Sequence, residues 1–166
     1  MSKTIVGVMG PGEGATRKDL AVAKRLGRLI AEKGWVTLTG GRRAGVMQAA
    51  LLGAKEAGGL TIGVLPQNTA AEASPAADIR ITTGLGEARN VVNVLTSSIV
   101  FVCGMSAGTA SEVALALKTK RQVILLNAST TSAAFWKSLD RKLVAVASSP
   151  EHALKIAERV LNTAPL

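Results

Sequence analysis

The sequence contains no tyrosine, one histidine and one cysteine among its 166 residues. Because His152 is the sole histidine, a Ser-His-Asp or Cys-His mechanism would depend on this one residue near the C-terminus. A single cysteine, Cys103, excludes a disulfide within the chain and a cysteine-cluster metal site, and it is typical of the reducing cytoplasm. We therefore expect a cytoplasmic protein without a metal site.

Aromatic side chains make up only 2% of the sequence, which is too few for a platform that stacks single-stranded nucleic acid. Lysine and arginine nevertheless outnumber the acids by 20 to 11, a formal charge of +9. We expect this excess to serve smaller anions or solubility. No apolar run approaches the ~20 residues that span a bilayer, and the N-terminus lacks a signal-peptide core. The sequence thus predicts neither nucleic-acid nor membrane partners.

Strand-like apolar runs alternate with segments of helical spacing and glycine-bearing turns. Strands are predicted at 4–9, 36–39, 61–65, 79–81, 99–103, 122–126 and 143–146. Helices are predicted at 17–33, 45–57, 87–97, 110–117 and 133–139, with a last one opening at 149–151. This alternation forms parallel βαβ units. We predict a single Rossmann-like α/β domain over residues 1–166, with a doubly wound, mainly parallel sheet of about six or seven strands, 99–103 central, and helices on both faces.

Two glycine-rich loops follow the first two predicted strands, where ligands of such sheets bind. Gly10-x-Gly12 and the alanine three residues later match the looser dinucleotide fingerprint. The carboxylate expected about 20 residues further on is absent, because no acid lies between positions 32 and 56. The second loop carries Arg42 and Arg43 instead. We therefore expect a phosphate or another anion rather than NAD, or glycines that only permit tight turns.

The segment 104–112 follows the most apolar strand and allows two interpretations. Thr109 is a candidate N-cap, and Glu112 lies at the fourth position of a T-x-x-E capping box. Glu112 either closes that box or points into the cleft at the strand ends as a base or hydrogen-bond acceptor. Arg89 and Asn90 pose a related choice: cations are unfavourable in a first helical turn. They either meet a bound anion or lie solvated on the surface.

Three further features have ordinary interpretations as well. Residues 67–77, rich in alanine and polar residues, are predicted as a surface loop or lid. Cys103 ends a strand near the expected site, where it is either a soft-metal ligand or a small buried hydrophobe. His152 falls in the first turn of the last helix and is expected at the surface.

Several motifs occur together in one order: Gly-Gly-Arg at 40–42, Gly-Val-Met at 45–47, residues 58–66, Ala-Arg-Asn at 88–90, and Gly108-Thr109-x-x-Glu112. This series resembles the superfamily of the cytokinin-nucleotide phosphoribohydrolases, formerly labelled lysine decarboxylases. Within it, residues 8–16 and 110–117 are most similar to the molybdenum-cofactor carrier proteins. The resemblance extends over about residues 4–161.

The carrier resemblance implies binding of the anionic molybdopterin-type cofactor without turnover, protection from oxidation and delivery to a molybdoenzyme. It also implies a homodimer or homotetramer. The alternative is a phosphoribohydrolase that releases free base from cytokinin-type or purine nucleoside monophosphates, in which Arg89 and Glu112 would be catalytic. The hydrolase loop P-G-G is replaced here by Gly104, Met105 and Ser106, and Arg89 precedes Asn90 where the hydrolases carry a lysine.

Under the carrier interpretation no residue is catalytic and no catalytic metal is expected. Backbone N–H groups of the glycine-rich loops would hold the anionic groups, and Arg42 would add a charge-assisted pair. Glu112 or Asn90 would accept from pterin N–H donors. The predicted cofactor-binding residues are Gly10, Gly12, Gly14, Gly40, Gly41, Arg42, Arg89, Asn90, Gly104, Ser106, Gly108, Thr109 and Glu112.

Overall fold

The structure is a computed structural model that describes residues 3–163. Its strands are β1 (Ile5–Met9), β2 (Val36–Thr39), β3 (Thr61–Leu65), β4 (Ile79–Thr82), β5 (Ile99–Cys103), β6 (Gln122–Leu126) and β7 (Val144–Ala147). Its helices are α1 (Arg17–Glu32), α2 (Gly45–Glu56), α3 (Asn90–Thr96), α4 (Ala107–Lys118), α5 (Thr130–Leu139) and α6 (Pro150–Thr163). A 3₁₀ turn, Gly86–Arg89, leads into α3.

The strands form one seven-stranded sheet in the order β4-β3-β2-β1-β5-β6-β7. Every neighbouring pair of these strands is parallel. The chain builds outward from β1 on one side and then restarts with β5 on the other side. The two carboxyl ends of β1 and β5 therefore flank the switch point, where α/β sheets bind ligands. The predicted Rossmann-like, doubly wound fold is confirmed.

Two layers of helices cover the sheet. One hydrophobic cluster joins α1, α2 and α6 to one face, and the other joins α3, α4 and α5 to the opposite face. The prediction that strand 99–103 is central needs one correction, because β1 occupies the middle and β5 lies beside it. Both strands are covered on two faces, which explains why β5 reads as a continuous apolar run.

Helix α4 begins at Ala107, three residues before the predicted start. The prediction that Thr109 caps this helix is wrong, because Ser106 is the N-cap and its Oγ accepts from the Thr109 N–H at 3.3 Å. The predicted third helix is likewise divided, with a 3₁₀ turn followed by a seven-residue α-helix. No helix within residues 3–163 is long and apolar enough to cross a membrane.

Candidate functional site

A pocket opens at the carboxyl ends of β1, β2 and β5, next to the switch point of the sheet. It contains about 490 Å³ of space unoccupied by atoms, counted to its open mouth. The end of β1, the loops after β1, β2 and β5, the 3₁₀ turn and the beginnings of α2, α3 and α4 supply its wall. The lining residues are Met9, Gly10, Gly12, Gly40, Arg42, Met47, Glu87, Arg89, Asn90, Ser106, Gly108, Thr109 and Glu112.

All but three of the predicted binding residues lie in this wall. Gly14 is exposed in the loop between β1 and α1, with φ of +85°. Gly41, with φ of +76°, packs against Gly63, and a Cβ there would lie 2.8 Å from the Gly63 Cα. Gly104, with φ of +78°, packs against the Asp19 carboxylate in the same way. These three glycines allow the loops their backbone conformation but lie outside the pocket.

The sequence interpretation missed Met9, Met47 and Glu87. The two methionines form an apolar part of the wall, and the Met47 thioether reaches Gly40, where a Cβ would lie 2.7 Å from its Sδ. Met47 belongs to the Gly-Val-Met motif at 45–47. That motif contributes to the family resemblance, but no binding role is predicted for it. Glu87 lies on the 3₁₀ turn, two residues before Arg89. Its carboxylate places a negative charge at a pocket that also contains two arginines.

Arg89 is buried, with only 7% of its surface exposed, so the interpretation as a solvated surface arginine is wrong. Burial lowers the pKa of its guanidinium, while the nearby carboxylates of Glu112 and Glu87 raise it. Its Nε has no hydrogen-bond partner among the described residues. A buried donor without a partner costs free energy. The Arg89 guanidinium thus lies at the pocket with one N–H donor, on Nε, that has no partner among the described residues.

Glu112 lies in the same pocket wall, on the second turn of α4, and is 6% exposed. Its Oε1 accepts a hydrogen bond of 2.9 Å from Asn93 Nδ2. Burial raises the pKa of Glu112 to about 7, and Glu87 adds to the rise, against the lowering effects of Asn93 and Arg89. The capping-box interpretation of Glu112 is wrong, because the N-cap of α4 is Ser106 and its side chain pairs with the Thr109 N–H. The carboxyl group belongs to the pocket wall, where its charge is costly.

The N-terminus of α4 forms one side of the pocket. The first amides of an α-helix have no partner within the helix, and the helix dipole favours negative charge there. Ser106 Oγ and Thr109 Oγ1 lie 2.9 Å apart and fix each other. A Cβ at Gly108 would meet no atom within 4 Å. Asn90 Nδ2 donates to Ser111 Oγ at 2.9 Å, which joins the first turn of α3 to α4.

Arg42 stands at the mouth, where its Nε lies 3.2 Å from Glu72 Oε2. Gln67 Nε2 donates to the same carboxylate oxygen at 2.8 Å. The backbone also ties these segments together, because Arg43 N–H donates to the Glu72 carbonyl at 3.0 Å. The predicted loop at 67–77 is thus exposed over 68–72 and attached to the β2–α2 loop through residues 72–74.

Cys103 lies at the end of β5 but faces away from the pocket, in the cluster beneath α1 and α2. It is 0% exposed, and burial and then the charge of Asp19 raise the pKa of its thiol. Its environment is that of a small buried hydrophobe. His152 is exposed on the first turn of α6, as predicted, and its Nδ1 accepts from the Ser148 N–H at 3.3 Å.

Asp19 has a structural role that the sequence did not reveal. Its carboxylate completes a capping box with Thr16, and its second oxygen accepts from Asn127. Burial raises its pKa, but the hydrogen bonds from Asn127 and Thr16 outweigh this effect and hold the pKa below its ordinary value. The carboxylate also packs on Gly104. Asp19 thereby connects the loops that follow β1, β5 and β6.

The pocket combines features that suit a small anionic molecule with a polar ring. A helix N-terminus and two arginines provide N–H donors for an anion, while Asn90 and the carboxylates provide acceptors for N–H groups. Within residues 3–163 no cluster of three or more histidine, cysteine, aspartate or glutamate side chains is placed to hold a metal ion.

Comparison with known proteins gives consistent matches over the same region. The chain is 53% identical to the molybdenum cofactor binding protein of the phototrophic bacterium Rippkaea orientalis, covering 97% of this chain and 99% of that one, with a TM-score of 0.95. It is 47% identical to the molybdenum cofactor carrier protein of Chlamydomonas reinhardtii, covering 98% and 100%, with a TM-score of 0.93. A protein of Archaeoglobus fulgidus, described as uncharacterized, is 44% identical over 121 residues, which are 73% of this chain and 78% of that protein.

The family model of the SLOG cluster4 family matches residues 3–154. That span includes every residue of the pocket wall and all seven strands. The resemblance to molybdenum-cofactor carrier proteins, found from the motifs, is confirmed by the solved structures. The chain belongs to the SLOG cluster4 family.

Proposed function

We propose that this protein binds the molybdenum cofactor and carries or stores it without chemical turnover, protecting it from oxidation. The observation that carries the proposal is the likeness, near half identity over almost the whole length, to two solved proteins named for binding or carrying that cofactor. The cofactor is the cargo here. It joins a phosphate and an anionic metal–dithiolene group to a pterin with hydrogen-bonding edges.

The pocket chemistry supports this cargo. The N-terminus of α4 at Gly108 and the backbone at Gly10 and Gly12 offer donors to the anionic groups. Arg42 is half-exposed at the mouth and free to turn from Glu72 toward a stronger anion. A surface ion pair of this kind contributes only ~0–1 kcal/mol, so its exchange costs little.

The residues proposed to hold the cargo are the predicted ones that line the pocket. Arg89 supplies the buried charge, and Asn90 or Glu112 accepts from the pterin N–H groups. We assign Gly14, Gly41 and Gly104 to the loop backbone instead, because they lie outside the wall. An Arg42→Ala variant that binds the cofactor with unchanged affinity would remove Arg42 from the site.

The second candidate is phosphoribohydrolysis of nucleoside monophosphates. The observation in its favour is that one pocket contains a buried arginine, Arg89, and a buried glutamate, Glu112. Burial raises the pKa of Glu112 to about 7. A carboxyl group that titrates near neutral pH suits general acid–base catalysis. The departures from the hydrolase loop at Gly104, Met105 and Ser106 favour binding over turnover.

A paired assay decides between these functions. Under anaerobic conditions, purified protein is mixed with molybdenum cofactor and separated by gel filtration, and the retained molybdenum and pterin are quantified. The same preparation is incubated with adenosine and isopentenyladenosine monophosphates, and free base is measured by chromatography. Stoichiometric cofactor without base release supports the carrier. Base release that Glu112→Ala abolishes, without cofactor retention, supports the hydrolase.

The remaining parts of the proposal concern the assembly and its setting. We propose a single domain over residues 1–166 that forms a homodimer or homotetramer in the cytoplasm and delivers its cargo to a molybdoenzyme. Light scattering coupled to gel filtration determines the number of subunits. Transfer is tested by reconstitution of an apo-molybdoenzyme with the loaded protein, compared with free cofactor at equal concentration.

A further inference from the structure

The charges of the side chains in the pocket wall cancel when every group is ionised. Among the described residues that line it, the cations are Arg42 and Arg89 and the carboxylates are Glu87 and Glu112. Arg42 is in addition neutralised by Glu72 at 3.2 Å. In this state the wall carries no net positive charge for a multiply charged anion. The helix N-terminus alone supplies attraction, worth ~0.3–1 kcal/mol in exposed geometry.

Of the two carboxylates, Glu112 is the one placed to lose its charge. Glu87 is exposed on the 3₁₀ turn. Glu112 is buried and accepts one hydrogen bond from Asn93, whose own Oδ1 has no partner among the described residues. A buried carboxylate is stable only if pairing and hydrogen bonds replace its hydration. An anion brought into the same pocket adds repulsion to that cost.

We infer that capture of an anionic ligand in this pocket is coupled to the uptake of one proton by Glu112. The proton comes from solvent and converts the carboxylate to a neutral carboxylic acid. The residues that line the wall then carry a net positive charge, from Arg42 and Arg89 against Glu87, when Arg42 turns from Glu72 toward the ligand. The inference rests on the proposed function in one respect, that the cargo is anionic, and it deepens that function by assigning Glu112 as the residue that makes capture depend on pH.

Two features of the structure support this coupling. The buried guanidinium of Arg89 has an Nε without a partner, so it can serve the ligand once Glu112 no longer competes for its charge. Burial already raises the pKa of Glu112 to about 7, so protonation near neutral pH requires little further shift. Because binding and protonation are linked, the anion must raise this pKa as much as the proton strengthens binding.

The test uses sulfate as the probe, since it stays a dianion throughout pH 5.5–8.5, whereas the phosphate of the cofactor titrates near pH ~6. Binding is followed by the amide NMR shifts of Gly10, Gly12 and Gly108. We expect the sulfate Kd of the wild-type protein to rise by up to about tenfold per pH unit above pH ~7. Glu112→Gln, which keeps the acceptor for Asn93, should bind sulfate with a Kd that does not change with pH.

Glu87→Gln is the matched control, because it removes the other carboxylate of the wall. Its sulfate Kd should still rise with pH, with the rise beginning at a lower pH because Glu87 no longer raises the pKa of Glu112. A second measurement uses the wild-type protein alone: the side-chain carboxyl ¹³C shift of Glu112 should titrate at higher pH when sulfate is present. These results together would establish the coupling.

Three outcomes overturn the inference: sulfate binding of the wild-type protein that is independent of pH, a pH dependence that persists in Glu112→Gln, or no saturable sulfate binding at pH 5.5. Cofactor capture is measured separately in the anaerobic assay. Retained cofactor without proton coupling would contradict this inference alone. Proton-coupled sulfate binding without cofactor capture would contradict the carrier proposal alone.

Discussion

The guanidinium of Arg89 packs directly on the backbone of Gly40, where a Cβ would overlap Nη1 and lie 2.9 Å from Nη2. The absence of a side chain at the end of β2 thus makes room for the buried cation of the pocket. Met47 closes the same space from the other side, with its Sδ 2.7 Å from that Cβ position. Gly40, after β2, therefore determines where the guanidinium of Arg89, on the 3₁₀ turn, lies.

Gly40→Ala should displace the Arg89 guanidinium and weaken anion binding. Hydrogen bonds to charged groups contribute ~1.5–3 kcal/mol, so we expect cofactor affinity to fall roughly 10- to 100-fold. Affinity is measured by anaerobic titration of the purified variant. Arg89→Ala should cause a similar loss, and the double variant should lose little more than either single one. Fully additive losses would show that the Gly40 contact does not act through Arg89.

Gly108→Ala should raise the stability of the protein and weaken cofactor binding. A Cβ at this position meets no atom of the chain within 4 Å, and the residue lies in the first turn of α4. Replacement of a helical glycine by alanine stabilises by about 0.4–1 kcal/mol. We therefore expect a Tm raised by a few degrees together with weaker cofactor binding, because the methyl group enters the pocket. A raised Tm with unchanged affinity would place the cargo elsewhere.

Glu112→Gln should change how stability depends on pH. The folded pKa of about 7 exceeds the ordinary value of 4.5, so folding favours the protonated form. The stability contribution of Glu112 is therefore complete below pH 4.5 and is lost as the pH rises through 7. Relative to the variant, the wild-type protein should lose up to about 3 kcal/mol over this window. Urea unfolding of both proteins at pH 4.5–8.5 measures the difference, and parallel curves would contradict the buried, neutral carboxyl.

Cys103 should resist alkylation in the folded protein. Its side chain is fully buried, and burial raises the thiol pKa well above its usual range, so thiolate and access are both lacking. We expect no reaction with iodoacetamide at pH 8 over hours, and rapid reaction in urea. In the anaerobic capture assay, Cys103→Ala should retain the cofactor. Loss of molybdenum from this variant while the fold is intact would revive the soft-metal ligand interpretation.

The alternation of strands and helices could be predicted because each element carries its own local signal. The runs of β1 and β5 are buried on both faces, so their apolar continuity identifies them as interior strands. The start of α4 could not be placed in the same way. Ser106 and Thr109 are both good N-cap residues, and the choice of Ser106 depends on how the chain leaves β5.

Most residues of the candidate site could be predicted from their positions at the ends of strands. Loops that end parallel strands meet at one edge of the sheet, so their glycines and arginines converge whatever the details. The pattern of glycines alone does not distinguish a loop that binds a ligand from a tight turn. For this reason the prediction that Gly41 and Gly104 bind the ligand placed two residues in the site that lie outside the pocket. Their true neighbours, Gly63 and Asp19, come from distant parts of the chain.

The sequence by itself determined the fold class, the edge of the sheet where the site lies and the family to which the chain belongs, because all three are recorded in local pattern and motif order. Only the tertiary structure decided the states of Arg89 and Glu112. Whether a charged side chain is solvated or buried depends on what packs over it, here Gly40, Met47 and Asn93. Because both are buried in the pocket wall, we propose that capture of the cargo depends on Arg89 and Glu112.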